Sequence, residues 1–292
     1  MSTYLWVNNL RVHALVRNPG SQPAVVLLHG LASNCRIWQR VIKFLPEDWA
    51  VYAPDLRGHG LTDSPESAYT FDEITQDLAA LLNLWNVRAP LLVGHSWGAA
   101  VAVAFAARFA AGPLAPAALT LVDGGVTRLR DLPNASWESV SQRLAPPPLT
   151  GVPVEDFLQR IRQNSLWQPQ DEDEQILLAN FEVDSEERIR PRLARTHHMQ
   201  ILRALWDFDT FAQLARVRCP VLGLMAHPGE PRDTREREFL ALKETGCQWV
   251  QQHLRGAQIH WFQQSIHDLP LQHPQAVAMA MVNFWEKSKG VV

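Results

Sequence analysis

Six short apolar runs recur along the chain: Ala24–Leu28, Val51–Ala53, Leu91–Val93, Leu119–Val122, Val221–Met225 and Ile259–Phe262. Most are too short for an amphipathic helix, and they are apolar at consecutive rather than alternate positions. A strand of that kind must be covered on both faces, as strands are in a parallel sheet. Segments with helical spacing lie between the runs, at Ile37–Phe44, Phe71–Trp85 and Ala99–Phe109. This alternation makes a doubly wound, mostly parallel α/β sheet the expected fold class. Two further β-like runs, Tyr4–Val7 and Arg11–Val16, open the chain around Asn8-Asn9, a pair suited to a hairpin turn. An amphipathic helix is expected at the end, over Ala276–Trp285.

The pattern changes between Thr127 and Phe208, where no buried strand is expected. Charge is dense (Asp171-Glu172-Asp173-Glu174, Glu186-Glu187-Arg188), Pro146-Pro147-Pro148 breaks the chain, and Ile176, Leu177, Ala179 and Phe181 recur at roughly helical spacing. The expected organisation is a core of residues 1–126 and 207–292 carrying a helical cap at 127–206.

Composition narrows the function classes. With 292 residues, 47% apolar and 20% charged, the chain can bury a core without disulfides or metals. Its net charge of −3 is mixed along the sequence, which excludes a basic stripe for nucleic acid. Cys35, Cys219 and Cys247 lack the spacing of a disulfide framework or a zinc site, a usage expected in the cytosol. No signal peptide is read at the N-terminus. The most apolar stretch, Pro90–Ala111, is interrupted by His95, Ser96, Trp97, Gly98 and Arg108, so no membrane span is expected. A phosphate-cradling G-x-x-x-x-G-K-[ST] loop is absent.

The strongest chemical signal is Gly94-His95-Ser96-Trp97-Gly98, placed between an apolar strand and an Ala-rich helix. A serine in such a turn is lifted to the sheet edge above a helix N-terminus, where developing negative charge is favoured. Ser96 is the expected nucleophile. A serine needs a base to take its proton. In this architecture the base follows the last strand, which selects His267 in Ser265-Ile266-His267-Asp268. Among the other histidines, His260 is read as a residue of the last strand and His273 as opening the final helix. His197 and His198 lie in the insertion, and His13 and His253 are read as surface residues.

Four stretches together carry a family resemblance: Val25–Leu31 with His29-Gly30, Ala53–Ser64 with Asp55-Leu56-Arg57-Gly58-His59-Gly60, Gly94–Gly98, and Ile266-His267-Asp268. As an ordered set the chain resembles the α/β-hydrolase-fold serine hydrolases of the core-plus-cap kind. The resemblance implies an oxyanion hole from the backbone N–H groups of Trp97 and Leu31, with His29 holding the loop through side-chain hydrogen bonds. Asp55, Arg57 and His59 are read as pinning a turn. The acid that orients the base usually follows the strand Val221–Met225. Here Gly229 stands in its place, within Ala226–Asp233. Asp123, ending the preceding strand, is the favoured substitute and Glu230 the second candidate; Asp233, or no acid at all, completes the alternatives. Asp268 is disfavoured because adjacent residues point apart. No metal or organic cofactor is required. A small carboxylic ester is the expected substrate, with lactone, thioester, amide, carbon–carbon or perhydrolase chemistry as alternatives on the same residues. A ligand-binding protein that has lost turnover is the alternative from a different class. His29, Trp137, Trp167, Leu166, Met199 and Trp206 are the candidate pocket residues, with packing of the cap onto the core as the competing role for the cap residues.

Overall fold

A computed structural model describes residues 1–288; positions 289–292 of the expected core segment lie outside the described residues. Among the described residues eleven strands are present: β1 (Ser2–Val7), β2 (Leu10–Arg17), β3 (Ala24–Leu28), β4 (Ala50–Pro54), β5 (Leu91–His95), β6 (Ala118–Val122), β7 (Val152–Pro153), β8 (Phe181–Val183), β9 (Arg188–Pro191), β10 (Val221–His227) and β11 (Gln258–Gln263). Eight form one sheet in the order β1-β2-β4-β3-β5-β6-β10-β11. The β1–β2 and β2–β4 pairs are antiparallel, and the remaining pairs are parallel. Asn8 and Asn9 take φ values of 48° and 61° in the turn that closes the first hairpin. These are left-handed angles that Asn tolerates better than most residues.

The period-2 rule divides each central strand between two cores. In β3, Val26 and Leu28 join one cluster with Leu78, Phe105 and Val250, while Val25 and Leu27 join the opposite one with Val41, Met281 and Phe284. Helices Phe71–Leu84, Trp97–Arg108 and Thr234–His253 therefore cover one face, and Gln39–Ile42 with Pro274–Ser288 cover the other. Each fully buried Leu or Val contributes about 1.5–3 kcal/mol. The helix after Ser96 lies deepest: every residue from Trp97 to Ala107 is buried.

Three expectations need correction. First, the segment between β6 and β10 is not helical throughout: β7, β9 and β8 form a small antiparallel sheet there. Those strands are short and flanked by Arg and Glu, and only Phe181 and Ile189 are buried, so they leave no apolar run. Second, β11 is not buried on both faces. It is an edge strand, half-exposed along its length, with His260 in solvent. Third, His13 is not on the surface. It is 2% exposed, with Nδ1 2.7 Å from Asp55 Oδ2 and Nε2 2.7 Å from Ser2 Oγ.

That third correction explains the one group of described residues with metal-ligand spacing, His13, Cys35 and Asp55. Both His13 nitrogens are engaged. Asp55 also accepts from the backbone N–H groups of Cys35 and Leu61 at 2.7 and 2.8 Å. The cluster is a hydrogen-bonded knot that fixes the turn of Asp55–Gly60, as read from the sequence, with His59 Nδ1 donating to Arg57 O at 2.9 Å.

Candidate active site

Ser96 sits between β5 and the helix Trp97–Arg108 with φ 55° and ψ −120°. This left-handed, strained conformation is the elbow that the pentapeptide implied. It requires close backbone approach on both sides. A Cβ on Gly98 would lie 2.4 Å from His29 O, and one on Gly124 would lie 2.3 Å from Ser96 O. Gly98→Ala is therefore expected to destabilise the fold by about 1–3 kcal/mol, read as a lower midpoint in chemical denaturation.

Trp97 is the first residue of its helix, so its N–H has no intrahelical acceptor. The loop after β3 lies alongside: a Cβ on Gly30 would sit 3.1 Å from Ser96 Cβ. Leu31, half-buried against the core, follows in this loop. His29 is fully buried, with Nδ1 2.8 Å from Gly30 O and Nε2 accepting from Leu56 N at 2.9 Å. It holds the loop and is not a pocket residue.

The structure joins His267 to Asp123, with 2.6 Å between Nδ1 and Oδ2. Asp123 lies just past the end of β6 at φ 42°, and its Oδ1 accepts from Ala226 N at 2.9 Å and from Lys243 Nζ at 2.7 Å. Its carboxyl is buried, which disfavours the charge, but the hydrogen bond and charge of His267, with those of Lys243, hold it ionised down to about 2. Around His267, burial likewise opposes the charged ring. The bond and charge of Asp123, with the charge of Asp268, outweigh burial and raise the His267 pKa above the usual 6.5. The half of the His267 side chain that remains exposed faces the cavity shared with Ser96.

Glu230 and Asp233 line that cavity without bonding His267. Asp233 caps the helix Thr234–His253 by accepting from Glu236 N at 2.8 Å. At the usual acid position Gly229 turns at φ 88°. Two contributors were missed by the sequence reading. Lys243 belongs to a long charged helix whose buried residues are sparse. His95, inside the pentapeptide, places Nε2 3.0 Å from His267 O and so tethers the His267 loop. Burial and the neighbouring His267 push His95 down to about 4, keeping it neutral.

A cavity of about 1270 Å³ opens over these residues, above the usual range for small-ligand sites. Ser96, Trp97, Asp123 and His267 share its wall with Phe157, Ile161, Leu166, Trp167 and Leu177 from the segment between β6 and β10. Trp167 and Leu166 thus fall where a pocket reading put them. Trp137, Met199 and Trp206 do not. They pack with Leu129, Leu132, Val140 and Leu202, the two indole rings being 6.4 Å apart. The helix Arg195–Asp207 has one cavity-facing position, Leu205, and its neighbours on the apolar stripe turn into this packing. His197 and His198 are also absent from the cavity wall; His197 Nδ1 lies 3.0 Å from Ser64 Oγ.

An eight-stranded, mostly parallel sheet with a serine on a left-handed elbow and a His–Asp pair at the same edge defines the α/β-hydrolase class of fold. The match of residues 25–280 to the alpha/beta hydrolase family model places the chain in that family, to which it belongs. An uncharacterized protein of Mycobacterium tuberculosis is 38% identical over 136 residues, which cover 44% of this chain and 39% of that protein. The 2-(acetamidomethylene)succinate hydrolase of Mesorhizobium japonicum is 35% identical over 99 residues, covering 34% of this chain and 36% of that enzyme. These matches span about two fifths of the relatives' length. The crystal structure of E-2-(acetamidomethylene)succinate hydrolase superposes with a TM-score of 0.79 at 19% identity, covering 98% of this chain and 99% of that one. Among the described residues, no helix is long and apolar enough to cross a membrane.

Proposed function

We propose that the chain is a serine hydrolase that cleaves a carboxylic ester of a small molecule through an acyl-enzyme on Ser96. The observation that carries this reading is the 2.6 Å contact of Asp123 Oδ2 with His267 Nδ1 on the wall of the cavity that Ser96 enters. Asp123 fixes the tautomer with the proton on Nδ1, which leaves Nε2 free to take the Ser96 proton. The serine oxygen then attacks the carbonyl carbon. The N–H groups of Trp97 and Leu31 hold the resulting oxyanion. His267 returns the proton to the leaving alcohol, activates water, and the acid is released from Ser96. All of this proceeds without a metal or organic cofactor.

Residues 127–206 act in this reading as a cap that closes the cavity over a core of 1–126 and 207–292. Phe157, Ile161, Trp167 and Leu177 supply the apolar part of its wall, which suits the acyl group, while Arg160, Arg232 and Arg235 line the rest. The three cysteines are free, the usage of a reducing compartment such as the cytosol.

A fluorophosphonate probe followed by peptide mapping tests the nucleophile, and a panel of matched oxygen ester, thioester, lactone and amide substrates tests the bond. Labelling of Ser96 with preference for the oxygen ester is the expected result. A folded protein that is never labelled sinks the mechanism and favours a binding role. The base must be neutral to act. Because the His267 pKa is raised, kcat/KM is expected to climb with pH through a midpoint above 6.5 and to be low beneath it. A pH profile with its acidic midpoint below that value overturns the assignment of His267.

A further inference from the structure

We propose that Lys243 is a positioning residue for the Asp123–His267 pair: its ammonium ties the Asp123 carboxylate to the end of β10 and stands as a fixed positive charge beside it. This rests on the serine-hydrolase reading above. Lys243 Nζ donates to Asp123 Oδ1 and to Ala226 O, both at 2.7 Å, and Asp123 Oδ1 also accepts from Ala226 N. A single carboxylate is thus held on one oxygen while the other faces His267, and Lys243 shares the cavity wall with both. The tie has work to do, because Asp123 sits at φ 42° and reaches the base from β6, across the end of β10.

The helix carrying Lys243 is seated for this contact. Gly246, one turn further on, lies so close to Val126 that a Cβ would be 1.8 Å from its carbonyl oxygen. Cys247 and Val250 bury the same face in the core. The Lys243 side chain is 18% exposed and that of Asp123 2%, so solvent screens the pair little.

The charge has a consequence for the base. Asp123 stabilises the protonated ring of His267, and Lys243 shares that carboxylate and repels the same proton. The other charged or titratable groups around His267 are Asp268 on its own loop and His95 at the end of β5, with ring centroids 4.9 Å apart. Arg160, Glu230, Arg232, Asp233, Arg235 and Glu236 line the cavity beyond them. On the helix of Lys243, the Cys247 thiol is pushed up to about 12 by burial and stays neutral, while Glu244 is the adjacent carboxylate. Removing the ammonium therefore raises the pH at which His267 loses its proton; replacing it by guanidinium preserves the charge.

The test compares wild type with Lys243→Met, Lys243→Gln and Lys243→Arg. Two readouts are taken across the histidine range: the rate constant for fluorophosphonate labelling of Ser96, and the NMR titration of the His267 ring, assigned by difference from His267→Gln. Met and Gln are expected to raise both midpoints by about one pH unit, with Arg near wild type. Unmoved midpoints in folded Gln and Met variants overturn the proposal, even where the labelling plateau falls. If Met does not fold, Gln and Arg decide it. A wild type that is not labelled defeats the hydrolase reading instead, and the ring titration still judges Lys243 separately.

Discussion

Ser96→Ala is expected to lower turnover of an activated ester by about 10⁴- to 10⁶-fold and to abolish covalent labelling, with stability close to wild type. The loss is large because, in the proposed mechanism, the serine oxygen forms the covalent bond to the substrate. In the proposed mechanism the residual rate belongs to the Trp97 and Leu31 N–H donors and to substrate binding, which alanine leaves in place. Stability is spared because the strain at φ 55° belongs to the backbone and weighs on serine and alanine alike. The measurement is steady-state turnover beside chemical denaturation. Undiminished turnover in a folded Ser96→Ala protein removes Ser96 from the chemistry.

Asp123→Asn is expected to reduce kcat by about 10³- to 10⁴-fold, whereas Glu230→Gln changes it by less than about threefold. The direction follows from the hydrogen bonds already present. Two donors, Ala226 N–H and the Lys243 ammonium, converge on Oδ1. An asparagine must keep its oxygen there and turn its NH₂ toward His267 Nδ1. The ring proton then moves to Nε2, and the nitrogen that should accept from Ser96 becomes a donor. The same substitution changes acid stability. The folded Asp123 carboxyl titrates near 2, below its ordinary 3.8, so its contribution to stability is present above that ordinary value and fades as pH falls through about 2. Acid denaturation of Asp123→Asn should lack this component. A large loss in Glu230→Gln with little in Asp123→Asn would reverse the assignment of the acid.

Much of this site was legible in one dimension. The strand runs Ala24–Leu28, Leu91–Val93 and Leu119–Val122 are buried on both faces, and a strand in that position has no polar side to disguise it. The elbow at Ser96 declares itself through small residues where backbones nearly touch. His267 follows from its place after the last strand. These are local features, set by chain neighbours and by one dominant force, burial.

What stayed hidden depends on residues far apart in sequence. The small sheet of β7, β8 and β9 leaves no apolar run, because so few of its side chains are covered. The tryptophans of the insertion are equally apolar in a cavity wall and in a packed core, so composition cannot separate Trp167, which lines the cavity, from Trp137 and Trp206, which do not. His13 reads as exposed until Asp55, 42 positions away, is found against it. The acid was only partly hidden: the sequence favoured Asp123 over Glu230, and the structure pairs Asp123 with His267. The sequence by itself determined that the chain builds an α/β sheet with Ser96 and His267 at one edge, since burial and turn geometry are written into short segments. Only the tertiary structure decided that Asp123, rather than Glu230, meets the base, and that Lys243 bonds the same carboxylate. Hydrogen bonds form over 2.6–2.7 Å, between side chains 120 and 144 residues apart, and no local pattern encodes a distance of that kind.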